Sequence, residues 1–98
     1  MNIAESTSQF INGLQNIERA IIERLRESGV QANANNFQWH RGKGVVPPPM
    51  AIELEIRVQN KTTNAVLSRE QVEDSWERIN RPDVMVMVKA LVADIVRT

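Results

Sequence analysis

Apolar residues fall at Phe10, Leu14, Ile17, Ile21 and Leu25, so residues 8–28 carry one continuous greasy face at helical spacing. Ile11 and Ile22 widen that stripe on one side. Arg19, Glu23 and Arg26 stand opposite, near enough to pair weakly. Arg24 and Arg26 sit where the helix dipole favours cations, and Gly29 follows as the residue that turns left-handed to close the helix. The period then changes. Ile52, Leu54, Ile56 and Val58 alternate strictly with Glu53, Glu55, Arg57 and Gln59, which predicts a strand with one buried and one wet face. Upstream, Val30, Ala32 and Ala34 keep one parity while Phe37 and Trp39 keep the other, and the phase flips at Asn35 and Asn36. Either a bulge within one strand or a loop before a short strand over residues 36–41 accounts for this. The turn preference of asparagine favours the second. Downstream, Asn60 and Lys61 read as a hairpin turn. Residues 62–67 read as a short returning strand, polar at its start as an edge strand can be.

At Ser68 helical signals return. Ser68 and Gln71 have the spacing of a capping box, and Leu67 with Val72 that of a hydrophobic staple. Val72, Trp76 and Ile79 mark one face of a helix ending near Ile79. Pro82 cannot continue that helix but suits the first turn of another, with Asp83 complementing its dipole. Taken alone, residues 84–88, Val-Met-Val-Met-Val, fit a strand or a helix. Val84, Val88, Leu91, Val92 and Ile95 continue at helical spacing, and sixteen residues over 83–98 exceed a usual strand, so a helix is expected. It is apolar over more than half its circumference and is expected to be buried on more than one side. The order α-β-β-β-α-α predicts one α+β domain over residues 1–98. Its architecture is a two-layer sandwich, a three-stranded antiparallel sheet with helices packed on one face.

Composition narrows the function classes. The 42% apolar content is ordinary for a folded domain, and twelve basic residues cancel twelve acidic ones. No overall field therefore draws the chain to nucleic acid or to an anionic membrane. The absence of cysteine removes disulfides, thiolate catalysis, sulfur-based zinc sites and iron–sulfur clusters, and suits a reducing interior. No apolar run approaches the ~20 residues that span a bilayer. The opening residues MNIAESTSQF lack the features of a secretion signal, so a cytoplasmic protein without membrane attachment is the expectation.

The stretch FQWHRGKGVVPPPM, residues 37–50, is the best candidate site. Arg41 and Lys43 bring charge, Gly42 and Gly44 free the backbone, and Pro47, Pro48 and Pro49 stiffen the exit into an extended arm. Beside Trp39 and His40, this tip reads as a phosphate or base-stacking contact, or as a hairpin connection kept soluble by its two cations. The proline run also reads as a docking ligand for an aromatic groove, or as a rigid strand entry. His40 with Glu53 and Glu55 is the one set with acid–base or magnesium potential, yet glutamates alternating on a wet strand face ordinarily serve solubility. No phosphate-loop, dinucleotide, nucleophile-elbow or zinc-protease motif occurs. No cofactor, metal site or enzymatic activity is expected.

The helices point elsewhere. Isoleucines on both flanks of the first helix, and valine and methionine all round the last, exceed what three strands cover. Ile11, Ile22, Met85 and Met87 are therefore the candidate protein interface, for a protein partner or for self-association as a homodimer. The alternative is nucleic-acid binding through Trp39, His40, Arg41 and Lys43. Helix, three antiparallel strands, helix resembles the order of double-stranded-RNA-binding domains, and the loop of Arg41 and Lys43 falls where such domains reach into a groove. The resemblance is one of topology. Those domains carry a lysine cluster at the start of the helix after the sheet, where this chain reads SREQVEDSWE with four acids, which repel phosphate. The family is not assigned.

Overall fold

The computed structural model describes residues 3–40 and 48–97. Helix α1 runs Ile3–Glu27, starting five residues before residue 8, because propagating a formed helix through residues such as Ala4 and Glu5 is easy. Phe10, Leu14, Ile17, Ile21 and Leu25 are all buried. The helix closes in a Schellman arrangement. Gly29 takes φ +84°, its N–H reaches the Arg26 carbonyl at 3.0 Å, and the Val30 N–H reaches the Leu25 carbonyl at 2.8 Å.

A single 3-10 turn, Ala34–Asn36, then sets the phase change. Asn33 caps it, and the Asn33 N–H donates to the Asn36 side chain at 2.9 Å. Asn36 Nδ2 donates to the Arg57 carbonyl at 2.8 Å, which ties the turn to the middle strand. Strand β1 accordingly spans Phe37–His40, with Asn36 in the turn rather than in the strand. Strands β2, Ala51–Val58, and β3, Lys61–Ser68, complete an antiparallel meander in the order β1-β2-β3. Phe37 faces Ile56 and Trp39 faces Leu54 across one ladder; Ile52 faces Leu67 and Ile56 faces Thr63 across the other. The hairpin turn is Gln59 and Asn60, at φ 54° and 66°, one residue earlier than expected from the sequence. Lys61 pairs with Val58 instead. A two-residue loop needs left-handed backbone at both central positions, and this placement keeps the apolar parity of β2 and β3 on one face. The returning strand is therefore eight residues long, not short.

Helix α2, Arg69–Glu73, starts on the expected capping box: the Gln71 N–H donates to Ser68 Oγ at 3.1 Å and the Ser68 N–H to Gln71 Oε1 at 2.9 Å. It stops at Glu73 and does not reach Ile79. Buried Ser75 bonds its hydroxyl back to the Gln71 carbonyl at 3.0 Å, while the Ser75 and Trp76 N–H groups fall back to i−3 carbonyls. Asn16 of α1 then supplies Nδ2 to the Ser75 and Trp76 carbonyls at 2.9 and 2.8 Å, satisfying the frayed end. Val72 stays buried and Ile79 packs partly buried against the core, but Trp76 turns out to 42% exposure, so the expected face Val72–Trp76–Ile79 loses its middle member.

Helix α3, Pro82–Val96, has Pro82 in its first turn and is a helix from its first valine. Val84, Val88, Leu91 and Ile95 form one buried stripe, whereas Val86 is 67% exposed. Packing against both α1 and β3 buries this helix on two sides, with Met87 and Val92 partly buried at the margins, while Val86 is left facing out. Lys61 fastens its far end, donating Nζ to the Ile95 carbonyl at 2.9 Å and also to the Arg97 carbonyl. Thr63 Oγ1 donates to Asp94 at 2.9 Å. Between α2 and α3, the Arg81 guanidinium gathers Asp83, Asp74 and Glu70 at 2.8, 3.0 and 3.3 Å. Hydrogen bonds from Arg81, then from Gln71, hold the Asp83 carboxyl down at about 2.

Candidate interaction surface

Trp39 and His40 are neighbours on β1, so they point to opposite faces of the sheet. Trp39 is buried at 8% exposure beneath α1, and its Nε1–H donates to Glu18 Oε1 at 2.6 Å. Its ring belongs to the core. His40 faces outward, with Nε2 2.8 Å from Glu55 Oε1; Glu55 Oε2 accepts Arg57 Nε at 2.5 Å. These two partners, His40 first and Arg57 second, pull the Glu55 carboxyl below its ordinary range. A carboxylate so engaged stays ionised, with both oxygens committed. Glu53 pairs across from His40 in the ladder, and the shallow hollow of about 200 Å³ beside it is lined by Ala51, Ile52, Glu53 and Val66, not by His40 or Glu55. Among the described residues no three histidine, aspartate or glutamate side chains gather as a metal ion would need. Arg41 and Lys43 lie outside the described residues, as does Pro47. Pro48 is buried, and Arg69 donates to the Pro48 and Pro49 carbonyls, which anchors the start of β2 to the start of α2.

The four candidate interface residues separate. Ile11 stands 41% exposed on the α1 flank that also carries Glu18 and Ile22. Ile22 and Met87 pack partly buried against the core margin. Met85 lies half-buried between α1 and α3, its sulfur 3.6 Å from Arg24 Nη2. Met85 and Met87, two residues apart, occupy different sides of α3.

A different surface emerges from the topology. Among the described residues the sheet has two free edges. The β1 edge is four residues long, a length that by itself discourages pairing, but the β3 edge is eight. From Thr62 to Ser68 it carries no charge. Thr62, Asn64 and Val66 are exposed, Val66 at 68%. The charge that does belong to this strand, Lys61, is turned inward to α3. Along the neighbouring flank of α3 run Met87, Ala90 and Asp94, placed on the β3 side by the bond of Asp94 to Thr63. The neutral run is visible in the sequence; that it lies at an uncovered edge beside a small-residue helix flank is a property of the sheet order.

Among the described residues no helix is long and apolar enough to cross a membrane. Comparison with protein-family models, curated proteins and solved structures finds no match to this chain.

Proposed function

We propose that this chain is a small non-enzymatic interaction module that binds copies of itself, working in the reducing cytoplasm that its cysteine-free sequence suits. One observation carries the reading: an eight-residue edge strand, neutral from Thr62 to Ser68, stands uncovered among the described residues. Proteins that avoid association blunt such edges with charge, proline, bulges or shortness, and β3 uses none of these along its exposed side. Exposed Val66 adds apolar area on the strand itself. The non-enzymatic part is supported by the outer sheet face, where both oxygens of the Glu55 carboxylate are engaged by His40 and Arg57.

Nucleic-acid binding draws less support, because Trp39 is buried and bonded to Glu18 and so has no free ring face for a base. That reading then rests on Arg41 and Lys43. Sedimentation velocity across the micromolar range is the test of self-association, and a concentration-dependent shift toward twice the monomer mass is the expected result. A single monomer mass at every concentration overturns the proposal. In parallel, salt-sensitive binding to an RNA duplex that disappears on Arg41→Glu with Lys43→Glu would install the nucleic-acid reading in its place.

A further inference from the structure

The geometry points to a specific self-assembly, resting on the reading above: two copies pair their β3 strands antiparallel about a two-fold axis at Asn64, joining the two meanders into one six-stranded sheet.

The register follows from the hairpin. A two-residue turn at Gln59 and Asn60 makes Val58 and Lys61 a hydrogen-bonded pair, and such pairs recur at every second position. Ile56–Thr63, Leu54–Ala65 and Ile52–Leu67 are therefore the bonded pairs within the sheet, and the Arg69 N–H to the Met50 carbonyl at 2.8 Å continues the series. It follows that Thr62, Asn64 and Val66 turn their backbone N–H and C=O groups away from β2, toward the open edge. The Ser68 N–H, next in that series, is already taken by Gln71 Oε1 as the cap of α2. An antiparallel partner can thus use three residues of this edge, and only an axis at Asn64 engages all three from both copies. Thr62 then lies opposite Val66 of the second copy, Asn64 opposite Asn64, and Val66 opposite Thr62. Moving the axis to residue 65 brings Thr62 against the occupied Ser68 and leaves two such pairings instead of three.

Side chains agree with this register. On the outer face, threonine meets valine and two asparagine amides meet each other, pairings that stabilise antiparallel ladders. On the inner face, Thr63 lies opposite Ala65 and Lys61 opposite Leu67, so no charge faces a like charge. The two α3 helices approach across the axis through Met87 and Ala90, one pliable and one small side chain, with Asp94 already satisfied by Thr63. A second copy is the occupant favoured here because the chain carries no net charge, so copies do not repel one another. A charged macromolecule would find nothing to attract it on an uncharged edge. Size is adequate as well. Eight residues at ~3.4 Å each give a wall roughly 27 Å long and two layers deep. Standard interfaces on this scale bury roughly 800 Å² per partner.

The absence of cysteine makes the test clean. Opposed residues of a bonded antiparallel pair have Cα atoms ~5.5 Å apart, within disulfide reach. Asn64→Cys is expected to form a covalent dimer under mild oxidation, and Ile11→Cys, on the far flank of α1, is expected to stay monomeric on a non-reducing gel. Val66→Lys, at a position already exposed, is expected to weaken the dimer at least tenfold by sedimentation while leaving the circular dichroism spectrum unchanged. Suppose instead that the wild-type chain associates, but Ile11→Cys cross-links and Asn64→Cys does not, or Val66→Lys leaves the dissociation constant unchanged. The edge pairing is then overturned while self-association stands. If the wild-type chain is monomeric throughout, both fall.

Discussion

Gly13 sits in the middle of α1, where replacing glycine by alanine ordinarily stabilises a helix by roughly 0.5–1 kcal/mol. Here the sign is expected to reverse. A β-carbon at residue 13 would meet the backbone of α2: the Val72 carbonyl carbon at 2.8 Å, Val72 Cγ1 at 3.0 Å, and the Val72 carbonyl oxygen closer still. Ordinary carbon contacts lie at about 3.5–4.0 Å, so α2 has to back away by roughly an ångström. It cannot do so freely. Val72 is fully buried, Asn16 holds the Ser75 and Trp76 carbonyls, and Ser68 caps the other end against β3. Overpacking of this kind costs about 1–3 kcal/mol, more where backbone has to yield. Subtracting the helix gain leaves Gly13→Ala destabilised by about 1–2 kcal/mol, which for a domain near this length lowers Tm by roughly 4–16 °C. Thermal and urea melts followed by circular dichroism measure it, with Asn12→Ala, on the exposed side of the same turn, as the control for helix propensity. If Gly13→Ala raises Tm as a free helical position would, then α1 and α2 do not approach as described, and the account of how α2 is seated is wrong.

Acid stability gives a second check. Asp83 is depressed from its ordinary 3.8 to about 2 by Arg81 and Gln71, and Glu55 is lowered by His40 and Arg57. Folded values below unfolded ones mean that the stability these carboxylates contribute is complete above the unfolded values. It is lost as pH falls through the folded ones, from about pH 4.5 down to about 2. Asp83→Asn combined with Glu55→Gln is expected to flatten the fall of Tm over that window, and an unchanged slope would refute the pairing. The two tryptophans supply a third check. In Trp76→Phe the remaining Trp39 is expected to resist acrylamide quenching, and in Trp39→Phe the remaining Trp76 is expected to be quenched readily. Equal quenching of both would place Trp39 outside the core and reopen its role as a stacking platform.

Where the sequence was legible, the signal was local and the physics short-ranged. The stripe from Phe10 to Leu25 and the alternation from Ile52 to Val58 report which side of an element avoids water, and both faces are buried as read. The Ser68–Gln71 capping box is a matter of three residues, and it forms as spaced. Where the reading missed, a distant partner decided. Helix α2 ends at Glu73 because Ser75 bonds backward and Asn16, some sixty residues away, donates to the loosened carbonyls. The hairpin turn shifts by one residue because Lys61 is drawn into the strand, its amine fastening the end of α3.

The same division holds for function. By itself the sequence determined the element order, the apolar faces, the charge balance and the absence of sulfur chemistry, because each is a sum over residues or a period along the chain. It marked residues 37–50 as the place to look, since aromatic, cationic and glycine residues crowd there. Tertiary structure alone decided that the Trp39 ring is buried beneath α1 and bonded to Glu18, and that the neutral run from Thr62 to Ser68 lies uncovered among the described residues. The polar start of residues 62–67 was a hint of an edge, but whether a strand lies inside or at the border of a sheet depends on which strand comes to pair with it, and that is fixed only by the sheet order.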